Sequence, residues 1–495
     1  MILTGVEVED ESVRKVLISC KSDLLEMCEE KILPPCGSQI HLTGTAEFLE
    51  EARNPGQFSY RMYYRGLGIR NRVTADRIFI SEGKSSPLRS QAECFRAYAT
   101  AVFQEVCVPE DAGIFQAILL GDKSGLSEEL RERFQDNGIA HILAVSGLHV
   151  SLIGMSVYSA LRFWGISYGW AGLGASALLT FYGLVTGFGA SVFMVEVSCL
   201  AAYLGRSYDL LSALSLSLIL QAWQSPYLLF SAGLQLSYGA VAAIGLETER
   251  LRKVGKKRKE REEEEQEKEK KKGYETFMLS SAIQLYTMPI QLYHYFTFPM
   301  LGIFLNLIVI PLLTYAAGSG LLALGIYSIA FVGGKMGEMG GGSIAGVLSA
   351  FGGAASGISE IPEIFRIAAS ACTGPGHYIF QLYEWLCIQV ERVPFHSIVA
   401  GRPEMWKIVV FYVALGIRYV WSVGEARDNL ERKGIFLFPK EWNAPGKNSV
   451  FIAVAVVFLV VQPVHGFQSW FLDVGQGDGV FLRTRDEAIL SDCGS

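Results

Sequence analysis

The stretch from Gly121 to Gly154, GDKSGLSEELRERFQDNGIAHILAVSGLHVSLIG, changes character halfway, and its reading decides the fold. The first half is polar and carries helix punctuation. Ser127 is placed to cap a short helix, Glu128 and Glu129 fall in its first turn where the helix dipole favours acid, and Asn137-Gly138 ends it. An apolar run of membrane grade starts at once. It contains His141, Ser146, Gly147 and His149, groups that lipid cannot satisfy and that only neighbouring protein or enclosed water can. Polar groups inside a crossing predict a pathway through a helical bundle, or hydrogen bonds that glue helices together; the two are compatible.

Composition points the same way. Of the 495 residues, 50% are hydrophobic and only 19% charged, against roughly 25% charged in soluble domains. The net charge of -6 excludes a globally basic nucleic-acid binder, so any DNA contact must be local. Nine cysteines are spread from Cys20 to Cys493; Cys20, Cys28 and Cys36 lie eight apart, which is no zinc spacing, and they read as small buried apolar residues.

Working outward, residues 1–85 are soluble in character, with β-rich runs at Val13–Ser19, Gln39–Leu49 and Arg72–Ile80 separated by Pro34-Pro35 and Asn54-Pro55-Gly56. Residues 86–138 form an interfacial region, in which Phe95, Tyr98, Val102 and Val106 give Leu88–Phe115 the spacing of one amphipathic helix along the membrane surface. Residues 139–466 form a polytopic membrane domain. Apolar blocks at 139–162, 169–187, 191–205, 209–224 and 230–246 have about the length that a hydrocarbon core of about 30 Å requires. A low-complexity run at 250–273, with twelve Lys or Arg against seven Glu in 250–272, reads as a solvated helical loop on the cytoplasmic side. Further blocks follow at 277–296, 300–332, 376–392, 406–423 and 449–466, and the Gly-rich sequence 333–357 has room for a re-entrant helix. Asn306 and Pro311 inside the 300–332 block predict a broken helix. Residues 467–495 alternate apolar strands with a Gly-rich turn.

Several of these strings carry a resemblance. G-D-K-S-G-L-S through G-I-A-H-I-L-A-V-S-G-L-H-V is similar to the signature of the ComEC competence proteins, polytopic membrane proteins associated with taking single-stranded DNA into bacteria. S-A-G-L-Q-L-S-Y at 231–238 and N-L-I-V-I-P at 306–311 match the same family, whereas Phe193, Met194 and Glu196 depart from a Ser-Val-Val-Arg-like pattern. N-P-G-Q-F-S-Y-R-M-Y-Y-R-G-L-G-I at 54–69 resembles the hallmark of the family's OB-like domain, with Ser59 where an Asp usually stands. F-L-D-V-G-Q-G-D-G-V-F-L at 471–482 resembles the opening signature of a metallo-β-lactamase-like domain.

The resemblance implies an α-helical polytopic membrane protein of the bacterial inner membrane, with about ten transmembrane helices, an N-terminal OB-like domain and the first strands of a lactamase-like domain, truncated at both ends relative to the family. It carries a DNA-path role to Asp122, Arg131, Arg133, His141, Ser146, Gly147, His149, Arg206, Gln235, Ser237, Asn306 and Pro311. OB-like motif roles fall on Asn54, Pro55, Gly56, Phe58 and Tyr60, and lactamase-like motif roles on Asp473, Gly475, Gln476, Asp478 and Asp492. The implied partners are single-stranded DNA, a cytosolic DNA-pulling ATPase, a DNA receptor at the cell surface, the lipid bilayer and further copies of the chain. Phe58, Tyr60, Tyr63 and Tyr64 alternate with Arg61, Arg65, Arg70 and Arg72, a composition that suits core packing as well as single-strand binding.

No enzyme, cofactor or metal is expected. Hydrolases of the lactamase class hold zinc with an H-x-H-x-D-H loop after these strands, and none of the seven histidines forms an H-x-H pair. Gly121-Asp122-Lys123-Ser124 resembles a phosphate-binding loop, yet Asp122 and Ala117 stand where that loop needs Gly. Ser146 and His149 lack a third catalytic group and a route for water. The rival functions are a solute transporter and a membrane-anchored nuclease whose catalytic domain lies outside this sequence.

Overall fold

The first 85 residues show why a sheet forms. In β2 (Glu11–Cys20) and β4 (Asn71–Ser81), Val16, Ile18, Val73 and Ala75 alternate into the interior, the period of two that buries one face of a sheet. β1 (Ile2–Val8) and β3 (Gln39–Phe48) complete a sheet of order β1-β2-β4-β3, in which β2 and β4 run parallel and the other pairs antiparallel. The computed structural model describes residues 2–8, 11–20, 39–54, 56–81, 87–143, 147–187, 190–204, 209–258, 265–339, 362–422, 445–461, 468–473, 478–483 and 488–491.

Between β3 and β4 lies a short helix, α1 (Tyr60–Gly66), which the sequence does not announce. Ser59 caps it by accepting a hydrogen bond from the Met62 amide at 3.3 Å. Asp and Ser cap helices about equally well, so the departure from the family pattern at Ser59 preserves the helix start.

The interfacial region departs from the expected single helix. α2 (Pro87–Val106) and α3 (Pro109–Phe115) are separate, because Pro109 ends the first by restricting Val108 and starts the second at its tolerated N1 position. Tyr98, Val102 and Val106 do share a face, and it packs into the largest apolar cluster with Phe103, Phe115 and Phe380. After one turn of π-helix, 116–120, the chain makes the 121–127 turn and enters α4 (Glu128–Asp136).

Each apolar block of the sequence falls on a helix. α5 (Gly147–Phe163), α6 (Tyr168–Thr186), α7 (Ala190–Tyr203), α8 (Leu210–Gln224) and α9 (Ala232–Arg258) precede the charged run. α10 (Glu265–Tyr295), α11 (Gly302–Met339), α12 (Glu363–Glu391), α13 (Met405–Ser422) and α14 (Pro445–Val460) follow it. The first block is helical only from Gly147, since Ala140–Leu143 forms a 3-10 turn. Among the described residues, Tyr168–Thr186 and Gly302–Phe331 are long and apolar enough to cross a membrane, and Val192–Ala201 and Leu210–Gln224 are shorter apolar helices. The expected re-entrant segment falls largely on 340–361, outside the described residues.

The expected break at Asn306 and Pro311 is absent: α11 runs unbroken through both. A proline removes one backbone hydrogen bond but need not end a helix whose neighbours support it. Here the Tyr383 hydroxyl, from α12, donates to the Val309 carbonyl at 2.8 Å, two residues from the proline.

A two-stranded pair, β5 (Thr297–Pro299) with β6 (Ser397–Val399), ties the ends of α10 and α12 together. The chain closes with an antiparallel meander, β7 (Gln468–Asp473), β8 (Asp478–Arg483) and β9 (Ala488–Ser491). The described β structure is the four-stranded sheet with one helix, the β5–β6 pair and the three-stranded meander; a closed OB barrel and a lactamase sandwich are finer statements than these elements make.

Candidate functional site

The signature opening is a built turn. The Asp122 carboxylate accepts from the Ser124 amide at 3.0 Å and the Ser124 hydroxyl at 2.7 Å, and lies 3.6 Å from Arg96 of α2. Burial pushes this carboxyl up, but the Ser124 hydrogen bonds and the Arg96 charge outweigh it and hold it below its ordinary value. Asp122 is therefore fully used in shaping the turn and tying it to α2.

α4 follows the punctuation read from the sequence. Ser127 accepts from the Leu130 amide at 3.3 Å, Asn137 is the C-cap, and Gly138 has φ +75°. A side chain at 138 would meet the Pro299 ring, since an added Cβ would stand 2.5 Å from Pro299 Cγ. The glycine is thus demanded twice, by backbone and by contact.

The two arginines of this helix differ. Arg131 makes an exposed pair with Glu128 at 3.9 Å. Arg133, whose side chain is 20% exposed, donates to Glu384 of α12 at 2.7 Å and Glu129 at 3.1 Å, and lies 3.7 Å from Glu391. Asn137 donates to Glu391 at 2.9 Å as well. This network clamps α4 to α12, so Arg133 is an interhelical tie.

His141 lies exposed on the 3-10 turn, and Gly147 and His149 open α5. Ser146, Arg206, Pro55, Gly475, Gln476 and Asp492 lie outside the described residues. In the 231–238 string, Gln235 donates to the Leu229 carbonyl at 2.9 Å and pairs with His294 of α10 at 2.9 Å, while the Tyr238 hydroxyl pairs with Ser217 of α8 at 2.6 Å. Ser237 is partly buried on α9. Tyr238 also lines a cavity of about 400 Å³ between α8, α9, α10 and α13, with Leu214, Leu218, Tyr286 and Tyr412. Glu196, the family departure, accepts from Ser176 at 2.5 Å and Thr180 at 2.7 Å on α6. Much of the polar signature is thus interhelical bonding. The buried amide oxygens of Asn137, Gln291 and Asn306 have no hydrogen-bond partner among the described residues.

Sequence reasoning missed His377, whose Nδ1 pairs with Asp111 at 2.6 Å and whose Nε2 pairs with Gln381 at 3.0 Å. It also missed the pairing of Arg53 and Asn54 with Asp473. Among the described residues, no group of three His, Cys, Asp or Glu is placed to hold a metal ion.

The OB-like motif presents an aromatic cluster. Phe58 and Tyr60 are 59% exposed and Tyr63 49%, with ring centroids 5.2 Å apart for Phe58–Tyr60 and 5.7 Å for Phe58–Tyr63. Arg61 is held by Glu51, and Arg65 sits over Tyr227 at 5.7 Å. None of these three rings is a core residue.

Fold and site together define a mostly helical protein whose helices turn apolar side chains outward, as with Trp223 at 91% and Ile329 at 72% exposed, and which carries β units at its two ends. The chain belongs to the competence protein family, which it matches over residues 118–372, just over half of its length. ComE operon protein 3 of Bacillus subtilis (strain 168) is similar, at 26% identity over 294 residues, covering 58% of this chain and 35% of that protein. The alignment thus spans about a third of that relative's length. No solved structure matches.

Proposed function

We propose that this competence protein forms the path by which one DNA strand crosses the bacterial inner membrane during natural transformation. The observation that carries the reading is the family match over 118–372, the region that holds the signature turn, α4 to α11 and the polar residues within them.

Physical support comes from the outward apolar faces, which suit lipid and not water, and from the way contacts sort the loops. Gly56 packs on Phe296, Gly66 on Leu228 and Gly138 on Pro299, Asn137 bonds Glu391, and Met300 bonds the His396 carbonyl. These contacts gather the ends of α4, α8, α10 and α12 with the N-terminal β unit. At the opposite ends of α9 and α13, Arg250 pairs with Glu247, and Tyr419 donates to Glu249, beside the charged run. A cytoplasmic charged run then leaves both β units outside. The exposed Phe58, Tyr60 and Tyr63 supply a stacking platform for single-stranded bases there. DNA carries a charge on every phosphate, so its route must be lined by polar groups and water, for which the sequence segment Ser146, Gly147 and His149 is the proposed lining. A cytosolic ATPase that pulls the strand, a surface receptor that delivers it and self-association complete the proposed assembly.

The test is DNA uptake normalised to folded protein. His149→Leu is expected to lower it with membrane insertion unchanged; preserved uptake per folded molecule with reduced thermal stability would assign His149 to interhelical bonding alone. Val150 is a poor control because it is fully buried against Leu179 and Val192. Met155, 61% exposed on the same helix, is the better one, and Met155→Leu should be silent.

A further inference from the structure

Two motifs 419 residues apart meet in an unusually complete way. The Asn54 side chain donates from Nδ2 to the Asp473 carbonyl at 2.8 Å and accepts at Oδ1 from the Asp473 amide at 2.8 Å. A primary amide is the one side-chain group that offers donor and acceptor at the spacing of a peptide, so Asn54 pairs with Asp473 as a neighbouring strand would. β7 is the edge strand of its meander, with β8 on its other side. Asn54 therefore meets both backbone groups of Asp473 at the end of this edge strand. The Asp473 carboxylate is taken by Arg53 at 2.9 Å.

The loop that makes these contacts is itself fixed. The amides of Arg53 and Asn54 both donate to Gln57 Oε1, at 2.9 and 3.0 Å. Gly56 has φ +84°, and an added Cβ would stand 3.3 Å from the Phe296 ring. Phe296 is held in turn, since its carbonyl accepts from Ala400 at 3.1 Å and Gly401 at 3.0 Å, at the β5–β6 junction. One loop thus touches the N-terminal β unit, the C-terminal β unit and the end of the helical bundle.

We propose that the Arg53–Gln57 loop is a clasp that positions the C-terminal β unit: Asn54 and Arg53 fix β7 at Asp473, and Gly56 seats the joint on Phe296. The geometry gives Asn54 and Gly56 of the string separate parts, with the amide for the strand edge and the glycine for the ring. Asp473 is a positioning residue on this reading. The aromatic platform of Phe58, Tyr60 and Tyr63 continues directly from the clasp, so whatever lies on it lies beside β7. The clasp is independent of which cargo the protein carries.

The test uses the full chain in membranes. In Arg53→Lys, a zero-length carbodiimide joins an amine at position 53 to any carboxylate in contact, and Glu50 at 3.7 Å is the built-in competitor of Asp473. Peptide mass spectrometry is expected to find the link to the peptide containing Asp473, and to lose it on adding Asp473→Asn. Linkage to Glu50 alone would overturn the clasp. Asn54→Leu, which keeps size and loses both amide groups, is expected to lower the yield of the Asp473 link about tenfold, the value of roughly one neutral hydrogen bond at the upper end of its range; unchanged yield would overturn the role of the amide. The functional arm is charge reversal: Arg53→Glu and Asp473→Arg should each reduce DNA uptake, and the double variant should restore it. Two impaired singles without restoration, or normal uptake in both, would overturn the positioning role. Crosslinking needs no DNA, so failure of the clasp and failure of the transport reading are read separately.

Discussion

Replacing Arg133 with methionine separates the two roles open to the signature arginine. The substitution keeps much of the aliphatic stem and deletes the guanidinium, so packing changes little and the ion network is lost. The Glu129 contact is an exposed pair one turn away, with the carboxylate 81% exposed, and contributes about 0.3–0.5 kcal/mol. The 2.7 Å bond to Glu384 bridges two helices and is charge-assisted, a class that contributes about 1.5–3 kcal/mol, toward the low end here because Glu384 is partly solvated. Glu391 keeps its bond from Asn137, so its share is small. Arg133→Met should therefore cost about 2 kcal/mol. Thermal unfolding of the detergent-solubilised protein measures the loss, and adding Glu384→Gln, which removes the stranded charge, should recover part of it. Unchanged thermal stability together with abolished DNA uptake would refute the clamp and make Arg133 a cargo contact.

Gly138→Ala forces a left-handed residue and drives Cβ into Pro299, costing about 2–4 kcal/mol; a thermal midpoint equal to the parent's would show that the α4–β5 contact is not held as described. Asp122 has a depressed carboxyl pKa, so the stability it adds is present above the unfolded value of about 4 and lost as pH falls through its lower folded value. Asp122→Asn should remove that acid-side dependence, and an unchanged pH profile would contradict it. Topology is read by thiol labelling of intact cells, where Lys270→Cys should stay unlabelled from outside and labelling from outside would invert the arrangement.

The elements carried by local pattern were legible. The bounds of β2, β3 and β4 and the capping of α4 by Ser127 and Asn137 follow from periodicity and punctuation, whereas α9 and α12 extend well beyond the apolar blocks that mark them. β1 escaped because Thr4-Gly5 interrupts its short apolar alternation, and α1 because seven residues are too few for helical periodicity to show. The continuity of α11 was illegible for a different reason: whether a proline breaks a helix depends on neighbours such as Tyr383, which the local sequence does not contain. Partner choice was the least visible. Arg133 with Glu384, His377 with Asp111 and Arg53 with Asp473 are separated by 251, 266 and 420 residues, distances over which no local propensity acts. The resemblance marked Arg133, Asn54 and Asp473 as important residues; only the structure shows that they hold other parts of the chain.

Transport itself is tested most directly by deleting the gene and complementing it with the intact coding sequence, then following DNA labelled on one strand at a time. The predicted result is that deletion leaves DNA bound at the cell surface and digestible by added nuclease, while complementation brings one labelled strand into a nuclease-protected, single-stranded pool. Equal protected label with and without the protein would contradict the proposal that it forms the path.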